Sequence, residues 1–224
     1  MAWICALTND EAKPDGARMR VIAAIAAVLL FGEQACAETY RFAITRNGDQ
    51  IGTHTIDLNR TGAETTVSIA TDLTVKVLYV TMYRFQHVAS ERWVGSRLVA
   101  LNSTTDDNGT RHKVSVVTRT AGLEVEADGK AAAPLDRNIL PASLWNAEVL
   151  RRPVMLDTQD GKVVPLAVVD QGSEDLKIDA RTFKAHHYTM KSKYSQDVWY
   201  DEQQHLVQVK LIGPDGSVIL YKPL

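Results

Sequence analysis

Thiols are nearly missing from this sequence: its 224 residues include two cysteines, Cys5 and Cys36. Both lie ahead of Glu38, where a leader is read below, so the folded part is expected to hold together without a disulfide. An excess of one charge is also missing. The 25 Lys and Arg nearly balance the 27 Asp and Glu, and no basic stripe of the kind a nucleic-acid binder needs is present. No glycine-rich loop opens a helix, which argues against a nucleotide cofactor. The six histidines are His54, His87, His112, His186, His187 and His205. None has zinc-ligand spacing, and His186-His187, adjacent on a strand, point to opposite faces. Ser143 sits in Pro-Ala-Ser-Leu-Trp without the glycines of a nucleophile elbow. No cofactor, no metal and no nucleic-acid partner is expected.

Long apolar runs are scarce as well. The longest is Val21–Phe31, too short for a bilayer, which takes roughly 20 residues. Met19-Arg20 precedes it, and Glu33-Gln34 and then Ala35-Cys36-Ala37 follow. Charge, apolar core and an Ala-x-Ala triplet in that order read as a secretory leader over residues 1–37, with a start near Met19 and cleavage after Ala37. The expectation is a single periplasmic or secreted domain over residues 38–224, with no membrane span once the leader is removed.

What is present in abundance is two-residue alternation. Tyr40–Arg46 and Ile51–Asn59 flank Asn47-Gly48, the strongest short hairpin signal. In Thr65–Tyr79, Val67, Ile69, Leu73, Val75 and Val77 share one face, and polar residues hold the other. Met82–Trp93 follows, with Tyr83, Phe85, His87, Ala89 and Trp93 on one face. Further strands are read at Arg97–Thr105, Arg111–Thr118 and Leu123–Ala127, turning at Asn108-Gly109 and Asp128-Gly129. After Arg152 come Val154–Asp157, Lys162–Val169, a turn at Gln171–Glu174, a short Leu176–Ile178, Thr182–Lys191, Gln196–Tyr200, Leu206–Gly213 and Val218–Lys222. The one interruption is Asn138–Asn146. There Leu140, Leu144, Trp145 and Val149 recur as a helical stripe behind Pro141, predicting a short helix over about Pro141–Leu150 with Ser143 near its start.

These elements predict an all-β, mainly antiparallel fold: a long-stranded curved sheet or half-barrel with one short covering helix. An incompletely covered concave side would be an apolar groove walled by Val67, Ile69, Leu73, Tyr83, Phe85, His87 and Trp93, with Trp145 at its mouth. The leading expectation is a non-enzymatic protein that binds a lipid or other apolar ligand there, or a cell-envelope protein partner. The alternative is a structural or assembly protein with a filled core that acts through its surface. A hydrolase is the third reading; it would require His87 or His186 to meet a carboxylate in a pocket.

Several segments also carry a likeness. Leu140–Asn146, Leu156–Lys162, Asp197–Asp201, Leu206-Val207 and Asp215–Ser217, behind a leader and the Tyr40–Gly52 hairpin, resemble the bacterial exported families labelled as domains of unknown function. More distantly the pattern is similar to the lipoprotein-carrier half-barrels of the Gram-negative periplasm. That resemblance implies a curved antiparallel sheet with a helical cover, and it brings no catalytic residues with it.

Overall fold

The computed structural model describes residues 36–224. The leader read over residues 1–37 therefore lies outside the described residues, apart from Cys36 and Ala37. Seven strands follow one another as a meander: β1 Cys36–Arg46, β2 Asp49–Thr61, β3 Glu64–Val77, β4 Val80–Val94, β5 Arg97–Asp107, β6 Thr110–Arg119 and β7 Gly122–Ala127, with the two-residue β8 Lys130–Ala131 beyond. An inserted segment contributes three short strands, β9 Leu140–Pro141, β10 Val154–Leu156 and β11 Val163–Pro165. A second meander completes the chain: β12 Ala167–Ile178, β13 Arg181–Lys191, β14 Ser195–Tyr200, β15 Leu206–Ile212 and β16 Val218–Pro223.

The two meanders share one 13-stranded sheet, because β16 pairs antiparallel with β1 from Arg46↔Ile219 to Phe42↔Pro223. The sheet is strongly curved and stays open, with β12 and β8 as its free edges. Bulges at Ile44/Thr45, Val75/Lys76, Arg92/Trp93 and Trp199/Tyr200 bend individual strands. The sequence explains the tight corners. Asn47 and Gly48 (φ 51 and 97), Asn108 and Gly109 (φ 50 and 95), and Asp128 and Gly129 (φ 52 and 77) all take the left-handed conformation a type I′ turn demands. The turn read at Gln171–Glu174 is instead a bulge inside β12: the register shifts between Asp170 and Gly172, with Gly172 at φ 89, and one long strand replaces two short ones.

The concave face is filled by the inserted segment. Phe42, Ile56, Leu58, Val67, Ile69, Leu101, Val114 and Val116 of the sheet pack with Leu140, Val149, Met155, Leu156 and Leu166 of the insert in one core. The predicted covering helix over Pro141–Leu150 does not form. Leu140 and Pro141 pair in parallel with Met155 and Leu156, and Leu144 turns at φ 62, a conformation no right-handed helix admits. Only Ala147–Arg151 winds, as a 3₁₀ turn capped by the Asn146 side chain on the Glu148 N–H, so Asn146 takes the starting role predicted for Ser143. The stripe of Leu140, Leu144, Trp145 and Val149 is real, but it arises because an irregular segment buries apolar groups against the sheet. Gly161 (φ 76) closes the insert against the far wall, where a Cβ would stand 2.9 Å from Ala127 Cβ. A second, smaller cluster of Ile178, Ala185, Trp199 and Val207 lies on the opposite face of the second meander.

Candidate functional site

Between the insert and the sheet remains a cavity of about 180 Å³, lined by Ile69, Phe85 and His87 of the first meander, Leu206, Val209 and Leu211 of the second, and Ala142, Ser143, Met155 and Val164 of the insert. His54 and Tyr221 add polar groups, and Ser192, Lys193 and Tyr194 in the β13–β14 turn border it. At ~30 Å³ per water or methylene-sized group, the space holds about six. Two of its hydroxyls are unusual: Ser143 Oγ and Ser192 Oγ are buried with no hydrogen-bond partner. Buried polar atoms are normally paired, so unpaired hydroxyls on the cavity lining mark places where a water or a ligand would find a donor or an acceptor.

Both histidines beside the cavity are neutral. Burial pulls His87 down to about 4, and burial together with the nearby His87 does the same for His54. The proton on His87 can be placed from its neighbours. Thr105 gives its one hydroxyl hydrogen to the Gln159 carbonyl at 3.1 Å, so at 2.9 Å from His87 Nδ1 it acts as acceptor. His87 therefore carries its hydrogen on Nδ1, and Nε2 faces the Thr158 hydroxyl at 3.4 Å. Ser103 also donates to the Thr158 carbonyl. This chain of bonds fastens the Asp157–Gly161 turn of the insert to β4 and β5. No carboxylate is a hydrogen-bond partner of His87 among the described residues; its ring is held between Thr105, to which Nδ1–H donates, and the Thr158 hydroxyl.

A group the sequence reading passed over stands behind this wall. Glu91, on the inward face of β4, is 3% exposed. The indole N–H groups of Trp93 and Trp145 both donate to its Oε2 at 2.8 Å, and the two rings meet edge to face with centroids 5.5 Å apart. Glu91 Oε1 has no partner. Burial raises this carboxyl above the usual range, against the pull of the two indoles and of the Ser143 hydroxyl. No hydrogen bond of normal geometry joins Oε1 to Ser143, yet the hydroxyl lies near enough to bear on the charge. A proton on Oε1 supplies the donor that these two orphaned oxygens lack. The signal was available: the alternation that places Ala89 and Trp93 inward places Glu91 between them.

The other sequence-selected residues are distributed as follows. Ile69, Phe85 and His87 line the cavity. Val67, Trp93 and Leu73 are buried, the first two inside the main core. Trp145 packs half-buried on that core, joined to Trp93 and Glu91 and lying behind the wall instead of at a mouth. Tyr83 is half-buried further along β4, its hydroxyl raised by burial and by Asp107. His186 meets Asp170 at 2.6 Å through Nε2 and Ser173 at 3.0 Å through Nδ1. Asp170 also accepts the Gly172 N–H at 2.8 Å, so these bonds brace the bulge of an exposed edge strand. His187 stacks on Trp199 at 4.3 Å and reaches Asp197 at 3.1 Å on the opposite face. No group of three His, Cys, Asp or Glu with metal-holding geometry occurs among the described residues.

The outer face carries a separate, polar groove of about 630 Å³, walled by Thr53, Thr55, Asp72, Gln86, Thr104, Asp106, Arg111, His112 and Asp128. Within it Arg111 pairs with Asp106, the His112 ring meets Asp128 at 2.7 Å, and Asp72 accepts the Gln86 amide.

Comparison with known proteins adds a family and a fold. The profile of the family described as "Domain of unknown function (DUF6134)" matches residues 42–224. Among curated proteins nothing matches. A solved structure titled as a beta-barrel-like protein of domain of unknown function DUF1849 from Brucella abortus is similar at TM-score 0.62 and 9% identity, over 83% of this chain and 94% of that one. At that identity the likeness concerns the fold alone.

Proposed function

The chain belongs to the DUF6134 family of domains of unknown function, and from that premise we propose that it is an exported binding protein without catalytic activity. Its ligand is a small apolar or lipid-derived molecule carrying a neutral hydrogen-bonding group, and its site is the cavity under Phe85 and His87. The observation that supports this most is the buried Ser192 hydroxyl, unpartnered on the lining of a largely apolar cavity that Ser143 also lines. Neutral histidines on the lining suit an uncharged ligand group, since an unpaired charge is costly to bury; His87 itself is held by Thr105 and Thr158, and His54 by Thr71. The cavity's volume of about 180 Å³ admits a chain end or a small ring, below the ~300–1,000 Å³ of sites for drug-sized ligands.

Native mass spectrometry of protein purified gently from its host, repeated after solvent extraction, tests this reading. The expected result is a bound mass that extraction removes and that Val209→Trp, which fills the cavity, prevents from the start. A bare mass in a folded wild-type protein sinks it. The smallness of the cavity and the completeness of the core around it favour, in that event, the second reading of a filled-core protein working through its surface.

A further inference from the structure

The β3–β4 hairpin runs on past its neighbours. Its last rung with β2 is Gly52↔Leu73 and its last with β5 is Phe85↔Asp107. Thr74–Arg84 is thus a two-stranded ribbon whose ladder pairs with itself, held at its base where the Arg84 carbonyl accepts the Asn108 N–H at 2.8 Å. Four residues per strand at ~3.3 Å each make it roughly 13 Å long. Its end is apolar and bare: Leu78 is 88% and Tyr79 101% exposed, and Val77, Val80 and Met82 are exposed beside them. Exposed apolar groups usually occur singly, and five together at one tip call for an explanation.

Folding does not supply one. Leu78 and Tyr79 hold φ 49 and 68, the conformation for which the chain's other tight corners use Asn-Gly or Asp-Gly. A leucine and a tyrosine there are worse for the turn than the pair the same sequence uses elsewhere. Charge gives the direction. The ribbon's residues Thr74–Arg84 include Lys76 and Arg84 and no acid. Of the acids at its base, Asp106 is matched by Arg111, Asp107 meets the Tyr83 hydroxyl and Asp72 accepts the Gln86 amide, and all three stand behind the ribbon instead of on it. The β13–β14 turn adds Lys193 and the exposed Tyr194, which lies near enough to Tyr83 to bear on its hydroxyl.

We infer that this ribbon inserts into an anionic lipid surface. Val77, Leu78, Tyr79 and Val80 enter the boundary between headgroups and acyl chains, while Lys76 and Arg84 remain at the level of the phosphates. A tyrosine at the tip suits that boundary, where an amphipathic ring is at home. The rungs Val77↔Val80 and Lys76↔Thr81 place the apolar pair on one side of the ribbon and the cation with a threonine on the other. Insertion of the turn and of that apolar side therefore leaves Lys76 free to face the phosphates. The inference goes beyond ligand binding and needs no occupant in the cavity.

The test is co-sedimentation of the purified protein with vesicles of equal parts phosphatidylcholine and phosphatidylglycerol, against vesicles of phosphatidylcholine alone. Binding to the anionic vesicles, weakened by salt, is expected. The double variant Leu78→Asn/Tyr79→Gly should lose about tenfold or more of that binding while its thermal midpoint holds or rises, because the turn improves. Lys76→Glu/Arg84→Glu should abolish the preference for anionic vesicles. Failure of the wild type to bind them, or undiminished binding by Leu78→Asn/Tyr79→Gly, overturns the proposal. Neither result touches the bound-mass measurement, and an empty cavity leaves the vesicle result standing.

Discussion

Replacing Glu91 by glutamine isolates a proton buried in the core. Burial raises this carboxyl above the 4.5 of an ordinary glutamate, so the native state keeps the proton over a range where the unfolded chain has released it. The sign follows from linkage. Wild-type stability is fully supported by this group at about pH 4 and declines as pH rises towards the raised value. The decline is about 1.4 kcal/mol for each unit of the shift. Glutamine does not titrate. Its oxygen can accept the Trp93 and Trp145 indoles as Oε2 does, and its amide replaces the unpartnered Oε1 with a donor facing Ser143. Urea denaturation of both proteins from about pH 4 to pH 7 should therefore give a gap within ~1 kcal/mol at the acid end. With rising pH the gap should open in favour of Glu91→Gln. Comparing the two proteins cancels every other titrating group, His54 and His87 included. A gap that stays constant with pH, or opens the other way, would refute the claim that Glu91 is protonated in the folded protein.

The histidines act in the opposite sense. Because His54 and His87 are pushed down to about 4, the unfolded chain binds protons first, and stability should fall as pH drops from about 6.5 towards 4, by up to ~3 kcal/mol for each ring; a His54→Gln/His87→Gln variant should show a flatter acid limb in the same denaturation series. Trp145→Ala should lower stability by about 3 kcal/mol, the lower end for a large aromatic because the ring is half-buried, whereas Trp145→Phe, which removes the N–H and part of the ring but keeps an aromatic group against Trp93, should lose less, about 1–2 kcal/mol. Equal losses for the two would assign the whole effect to the N–H and the part of the ring that phenylalanine lacks.

The curved antiparallel sheet was legible because its strands alternate and its corners are written in residues with one conformational purpose. Asn47-Gly48, Asn108-Gly109 and Asp128-Gly129 each adopt the turn their chemistry requires. Leu78-Tyr79 adopts the same turn without that chemistry, so a propensity argument runs β3 through it to Tyr79. The helix over Pro141–Leu150 was misread for a different reason. Apolar residues at helical spacing also arise where an irregular chain is packed against a sheet, and only the pairing of Leu140-Pro141 with Met155-Leu156 distinguishes the two. Of the residues expected to wall a groove, Ile69, Phe85 and His87 lie on the cavity, Val67, Trp93 and Trp145 are taken into the packing of the main core, Leu73 is buried outside that cluster, and Tyr83 stands half-buried on the extended hairpin. Alternation tells which face a side chain takes, not whether a later segment will fill the space before it. Glu91 escaped because a carboxylate in Ser-Glu-Arg reads as solvated, although its parity matched that of Trp93.

The rung from Arg46↔Ile219 to Phe42↔Pro223 also sets the order of events as the protein acquires its shape. The first meander has no partner for β1 on its outer side until the last strand exists, and the insert that fills the core is anchored to both halves through Trp145 with Glu91 and through Tyr200 with the Leu144 carbonyl. Contacts so distant along the chain form slowly, since a long loop must close before they return any free energy. A chain that cannot seal itself early stays threadable. The finished fold therefore waits on β16, since β1 and the insert both take closing partners from the second meander.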